Sequence, residues 1–231
     1  MIEFLFLDLD DTILDFHKAE RIALEKTFRA HGLNPAPEIM ARYSAINKRC
    51  WEKLERGELT RAQVLLKRFE TLFLELGMDV DSHAIQASYE HNLSIGHYFL
   101  PGAEAAVKAL SKKYRLFLAS NGTAKVQEGR MTSAKLYPYF EQVFISEEIG
   151  FNKPAKAYFD ACFARIPDFE KGKAMMVGDS LTSDIRGGNN AGLLTCWINP
   201  GHAPRNPEIH VDYEIEALSQ LEALLSTLSV K

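Results

Sequence analysis

Ile2-Glu-Phe-Leu-Phe-Leu-Asp8-Leu-Asp10-Asp-Thr12 opens the chain with an apolar run that ends abruptly in carboxylates. A short, nearly continuous apolar run suits a strand buried on both faces of a parallel sheet. Carboxylates at its carboxyl end stand where open α/β sheets bind their ligands. The pattern repeats at Arg115 to Ala119, Val143 to Ile145, Ala174 to Gly178 and Leu194 to Ile198, each run lying between helical stretches. Repeated βα units of this kind predict an α/β fold with a doubly wound parallel sheet, a Rossmann-like core.

Between Asp15 and Phe99 the periodicity changes. Ile39, Tyr43, Ile46, Cys50, Trp51 and Leu54 recur at helical spacing, with no strand-like alternation. Thr60-Arg-Ala-Gln63 reads as a capping box opening a second helix through Val64, Leu65, Phe69, Leu72, Phe73 and Leu76, and Gly77 is placed to end it. Pro101-Gly102 returns the chain to the α/β pattern. The expected organisation is a catalytic core of residues 1–14 and 100–231, with residues 15–99 inserted as an all-helical cap that acts as a lid. The Pro-rich stretch Pro200 to Pro207 reads as a surface loop.

Composition narrows the partners. The 231 residues are 46% hydrophobic and 25% charged, with a net charge of −4 and no long run of one sign, which argues against binding nucleic acid or an anionic membrane surface. No stretch reaches the ~20 apolar residues of a membrane span and no basic segment precedes the first run, so the expectation is a soluble, cytoplasmic protein. Cys50, Cys162 and Cys196 are odd in number and widely spaced, as buried reduced thiols would be. The histidines show no metal-like pairing, and Gly187-Gly188 suits close helix-to-sheet packing, since a dinucleotide fingerprint would need GxGxxG after a strand. Composition is silent on the oligomeric state.

Gly178-Asp179-Ser-Leu-Thr-Ser-Asp184 forms a second acidic cluster at a strand end. Two such clusters at one sheet edge can converge on a hard divalent cation, because Mg²⁺ takes oxygen ligands. Taken singly, Asp8 and Asp10 equally suit a helix cap or a turn. Ser120-Asn121-Gly122 after a third strand and Lys153-Pro154 after a fourth make four polar punctuations after four apolar runs, and that favours a site.

These residues resemble the four motifs of the haloacid dehalogenase-like hydrolase superfamily: DxDxT, a Ser/Thr closing a strand, a Lys before a helix, and GDxxxxD, in that order from Asp8 to Asp184. The resemblance implies that Asp8 is the nucleophile, Asp10 the general acid/base and Thr12 the residue that orients Asp10. It further implies that Ser120, Asn121 and Lys153 bind the phosphoryl group. Mg²⁺ would be held by Asp8, the Asp10 backbone carbonyl and Asp179, with Asp184 in the outer shell. Asp11 and Asp15 are assigned only a solvated turn and a helix cap.

The helical insertion resembles the cap of one subgroup. GDSLTSDIRGGNNAGLLTCWINP (Gly178 to Pro200) and YSAINKRCWEKLERGELTRAQV (Tyr43 to Val64) are similar to bacterial pyrimidine 5′-nucleotidases. The implied partner is a small phosphorylated metabolite, a nucleoside monophosphate. Asn47 and Trp51, at i and i+4 on one helix face, are candidates for contacting its base, and Phe16 for the mouth of the site. Packing within the core is the competing reading for Trp51 and Phe16.

Other readings of the same residues stay open: a sugar-phosphate or phosphoglycolate phosphatase, a phosphomutase, a 2-haloacid dehalogenase, or a non-catalytic receiver-like module. The dehalogenase needs neither Asp10 nor the Asp179/Asp184 pair. Receivers lack a helical cap.

Overall fold

A computed structural model describes residues 1–228. The elements run β1 (Phe4–Leu7), α1 (Phe16–Ala30), α2 (Pro37–Glu55), α3 (Arg61–Leu76), α4 (Ser82–Ser94), α5 (Ala103–Leu110), β2 (Arg115–Ser120), α6 (Ala124–Ser133) and β3 (Gln142–Ile145). They continue with α7 (Ser146–Ile149), α8 (Lys156–Phe163), β4 (Ala174–Gly178), α9 (Arg186–Ala191), β5 (Leu194–Ile198), β6 (Tyr213–Ile215) and α10 (Leu221–Leu228).

The six strands form one parallel sheet in the order β3-β2-β1-β4-β5-β6. Alternation along β1 explains its continuous apolar run. Leu5 and Leu7 enter one core with Val107, Leu110, Met131, Leu221 and Leu225, while Phe4 and Phe6 enter the other with Tyr158, Phe159, Cys162 and Ala191. Helices therefore cover both faces, and all four β1 side chains are at 0% exposure. Burial of that strand contributes roughly 6–12 kcal/mol before conformational entropy is counted.

Chain order reverses direction at β1, whose neighbours are β2 on one side and β4 on the other. Leu7 lies beside Leu118 and Val177, so Asp8, Ser120 and Asp179 leave the sheet at one edge, at the topological switch point. The strand β6 was not legible in the sequence: it is a three-residue edge strand with an exposed Glu214 between Tyr213 and Ile215. Gly187 and Gly188 let α9 lie against its neighbours. A Cβ on Gly187 would stand 2.8 Å from the Phe159 ring, and one on Gly188 2.7 Å from the Thr195 methyl.

The chain divides into two compact units, one formed by Met1–Phe16 and the chain from His97 onward, the other by His17–Gly96. The second is wholly helical. Its core gathers Leu24, Phe28, Tyr43, Ile46, Val64, Phe69, Leu72 and Tyr89, with the Tyr43 and Phe69 rings 4.9 Å apart. Thr60 and Gln63 form the capping box of α3: Thr60 Oγ1 accepts from Gln63 N–H at 3.3 Å and Gln63 Oε1 from Thr60 N–H at 2.9 Å. Gly77 closes that helix at φ 64°. All three cysteines are buried free thiols.

Candidate active site

Lys153 is the centre of the site. Its ammonium, on a side chain only 1% exposed, donates at 2.6 Å to Asp8 Oδ1, to Asp184 Oδ1 and to the Ala119 carbonyl. The Asp8 N–H donates to the Val177 carbonyl at 3.0 Å, which continues the β1–β4 ladder and fixes the nucleophile candidate at the strand end. Asp184 is brought back toward β4 by a π-helical turn, Leu181–Ile185. Ser180 initiates that turn: its Oγ accepts from Ser183 N–H at 3.2 Å, and its own N–H donates to Asp184 Oδ2 at 3.1 Å. Asp179 is anchored through its carbonyl, which accepts from Trp197 Nε1 at 2.7 Å.

Ser120 is 1% exposed, and its Oγ accepts from Gly122 N–H at 3.1 Å and from Gln127 Nε2 at 2.8 Å. The Asn121 side chain works indirectly. Its Oδ1 accepts from Lys153 N–H and its Nδ2 donates to the Lys153 carbonyl, both at 2.9 Å, so the amide clamps the loop that carries the lysine.

The Thr12 hydroxyl is buried without a hydrogen-bond partner among the described residues and makes no bond to Asp10. Asp10 is held instead from α6: Arg130 Nη1 donates to Asp10 Oδ1, and Gln127 Nε2 donates to Oδ2 at 2.7 Å. Neither residue stood out in the sequence, although both lie on a buried stripe with Val126 and Met131. Polar residues at two positions of an inward helix face are the signal that could have found them.

Asp11, at φ 53°, accepts from Phe16 N–H at 2.8 Å and so caps the start of α1. The Arg130 guanidinium lies 5.9 Å from the Phe16 ring centre. Asn47 departs from the expectation of a base contact. It is 3% exposed, donates to Glu20 at 2.8 Å and accepts from Arg68 at 3.0 Å, because a buried amide inside a helical unit must satisfy its own donors and acceptor there. Trp51 is half-buried, with the Arg61 guanidinium 5.7 Å from its ring centre.

Burial pushes the Asp8 carboxyl up to about 8; Lys153 opposes the rise, and Asp184 and Asp10 add to it. Asp179 is likewise raised well above the usual carboxylate range by burial and by Asp184 and Asp8. Burial pulls the Lys153 ammonium down, but Asp184 and Asp8 overcome it and raise it above its ordinary value. One ammonium thus faces more carboxylate charge than it can neutralise. Ligand oxygens of Asp8, Asp179 and Asp184 all lie within 4.8 Å of one another. An all-oxygen, over-negative cluster fits a hard cation such as Mg²⁺ and offers none of the nitrogen or sulfur donors that softer metals prefer.

The comparisons agree with this geometry. Residues 2–192 match the model of the haloacid dehalogenase-like hydrolases. The solved structure of the HAD-hydrolase YfnB from Bacillus subtilis, bound to magnesium, superposes with a TM-score of 0.93 at 39% identity, covering 97% of this chain and 98% of that one. Pyrimidine 5′-nucleotidase PynA of Streptococcus pneumoniae is 36% identical over 95% of this chain and 93% of its own length. Pyrimidine 5′-nucleotidase YjjG of Escherichia coli is 30% identical over 96% and 97%. With this match and the carboxylates gathered around Lys153, the chain belongs to the haloacid dehalogenase-like hydrolase family.

Proposed function

We propose that this chain is a magnesium-dependent phosphomonoester hydrolase that works through a phosphoryl group carried on Asp8, with pyrimidine nucleoside 5′-monophosphates as its substrates. The observation that carries the reading is a buried carboxylate at the switch point, Asp8, with an ammonium on one oxygen and a second carboxylate, Asp10, two residues further on. The nucleotide preference is supported by the near full-length relatives PynA and YjjG.

In the first half of the reaction an Asp8 oxygen forms a bond to phosphorus while the bond to the leaving oxygen breaks, and Asp10 gives that oxygen its proton. In the second half Asp10 takes a proton from water as the water oxygen bonds to phosphorus and the Asp8–phosphorus bond breaks. Lys153 and the Ser120 hydroxyl hold the phosphoryl oxygens throughout. Asp8, Asp179 and Asp184, with the Asp10 carbonyl, would hold Mg²⁺, which when bound would supply positive charge against the transferring group. Carbon chemistry of the dehalogenase type uses neither Asp10 nor the Asp179/Asp184 pair. Trp51 is the cap side chain left for base stacking, since Asn47 is committed inside the helical unit.

The test is a screen of phosphorylated metabolites with Mg²⁺, covering nucleotides, sugar phosphates and phosphoglycolate, joined to chemical trapping. The expected result is a lead by UMP and dUMP-type substrates and a phosphoryl group on Asp8 that Asp8→Asn abolishes while the fold survives. A lead by sugar phosphates would overturn the substrate, and a phosphoryl group on another residue would overturn the mechanism.

A further inference from the structure

Arg130 is the largest fully buried side chain in the described structure, at 0% exposure. Burying a guanidinium costs several kcal/mol unless charge and hydrogen bonds offset it, and an apolar residue of similar volume would fill the space without that cost. Its charge is met by Asp10. The same side chain donates to Gln127 Oε1 at 3.1 Å, and Gln127 Nε2 donates at 2.7 Å to the other Asp10 oxygen. Each carboxylate oxygen thus accepts one bond from α6. Because an ionised carboxylate has about four lone-pair sites, capacity remains for proton transfer.

Gln127 also reaches Ser120. Ser120 Oγ accepts from Gln127 Nε2 and Gly122 N–H, which uses both of its lone pairs and leaves the hydroxyl to act as a donor. The amide therefore ties the acid/base candidate and the phosphoryl-binding hydroxyl into one assembly. Gly122 makes room for it: a Cβ there would lie 2.6 Å from Gln127 Cγ and Cδ, so any side chain would push the amide off both partners. The Phe16 ring lies near the same guanidinium, its centre 5.9 Å from the Arg130 Cζ.

We propose that Gln127 and Arg130 are positioning residues that hold Asp10 in line with the leaving oxygen and then with the attacking water, and that Gln127 directs the Ser120 proton toward the phosphoryl group. This rests on the phosphomonoesterase reading given above. The loss of aim should be selective. An alkoxide leaving group needs Asp10 as acid, whereas p-nitrophenolate leaves without a proton, and both substrates need Asp10 as base in the second half.

The experiment uses the full chain with Mg²⁺ and compares wild type with Arg130→Met, Gln127→Leu and Gly122→Ala on UMP and on p-nitrophenyl phosphate, by stopped flow and steady state. The variants are expected to lose about 100-fold or more in kcat on UMP with KM changed less than about threefold. On p-nitrophenyl phosphate Arg130→Met should release one nitrophenolate per enzyme at near wild-type rate and then turn over slowly. Gln127→Leu and Gly122→Ala also free Ser120, so they should slow the burst, but by much less than they lower kcat on UMP. An equal loss of the burst rate and of kcat on UMP would assign α6 a structural role and overturn the proposal, as would a rise in KM with kcat unchanged. Should Arg130→Met fail to fold, Gln127→Leu and Gly122→Ala carry the same comparison, because neither leaves a buried charge alone. A wild type with no trapped phosphoryl group on Asp8 removes the phosphomonoesterase reading itself. A wild type that traps and turns over, with variants that show no split between the two substrates, removes only the positioning role.

Discussion

The metal-free protein should lose stability as pH rises, opposite to the usual behaviour of paired carboxylates. Burial raises Asp8 from 3.8 to about 8, so between those values the folded chain holds a proton that the unfolded chain has released. Stability changes with pH as the difference in bound protons between unfolded and folded states, and here that difference is negative. The contribution is fully present below the unfolded value, falls through the window from 3.8 to about 8, and is flat above it. One proton corresponds to about 1.4 kcal/mol per pH unit, so Asp8 alone makes the step from pH 5.5 to 7.5 worth about 3 kcal/mol at most. Asp179 contributes with the same sign.

Mg²⁺ competes with that proton, so it should stabilise most at the upper end of the range, and its apparent affinity should rise with pH up to about 8. The assay is urea unfolding at pH 5.5, 6.5 and 7.5, in chelator and in Mg²⁺, on wild type and Asp8→Asn. The amide cannot titrate, so Asp8→Asn should lose much of the slope in chelator. A slope that is identical with and without Mg²⁺, or unchanged in Asp8→Asn, would refute the assignment of the proton to Asp8.

Two other perturbations are informative. Lys153→Met removes the cation between Asp8 and Asp184 and should cost about 3–5 kcal/mol in chelator at pH 8, read by urea unfolding; a loss under about 1 kcal/mol would mean that the carboxylates have another counter-charge. Trp51→Ala should lower kcat/KM for UMP by about 1–3 kcal/mol while sparing a small generic ester, if its half-buried ring stacks on the base. Equal losses on both substrates would place Trp51 in a packing role.

The sheet was legible in the sequence because its signal is local. Phe4 to Leu7 is apolar on both strand faces, and in a doubly wound fold that requires helices on both sides. The meeting of Asp8, Ser120 and Asp179 was likewise legible, because each follows an apolar run and parallel register brings such ends to one edge, whereas Lys153 lies beyond α7 and is held there by Asn121. The strand β6 escaped because three residues carry too little pattern to separate from a loop.

Only the tertiary structure decided what holds Asp10. Thr12, two residues away, was the local choice, but Gln127 and Arg130 take the position from 117 and 120 residues further along. Docking α6 against the sheet creates that meeting, and no local propensity encodes it. Asn47 shows the same limit in the helical unit. Its spacing to Trp51 is a property of one helix, whereas its burial and its bonds to Glu20 and Arg68 come from packing α2 against α1 and α3. Periodicity tells which face of an element turns inward, and the partner that a polar side chain meets there is fixed by long-range packing, where an unmatched donor or charge would cost several kcal/mol.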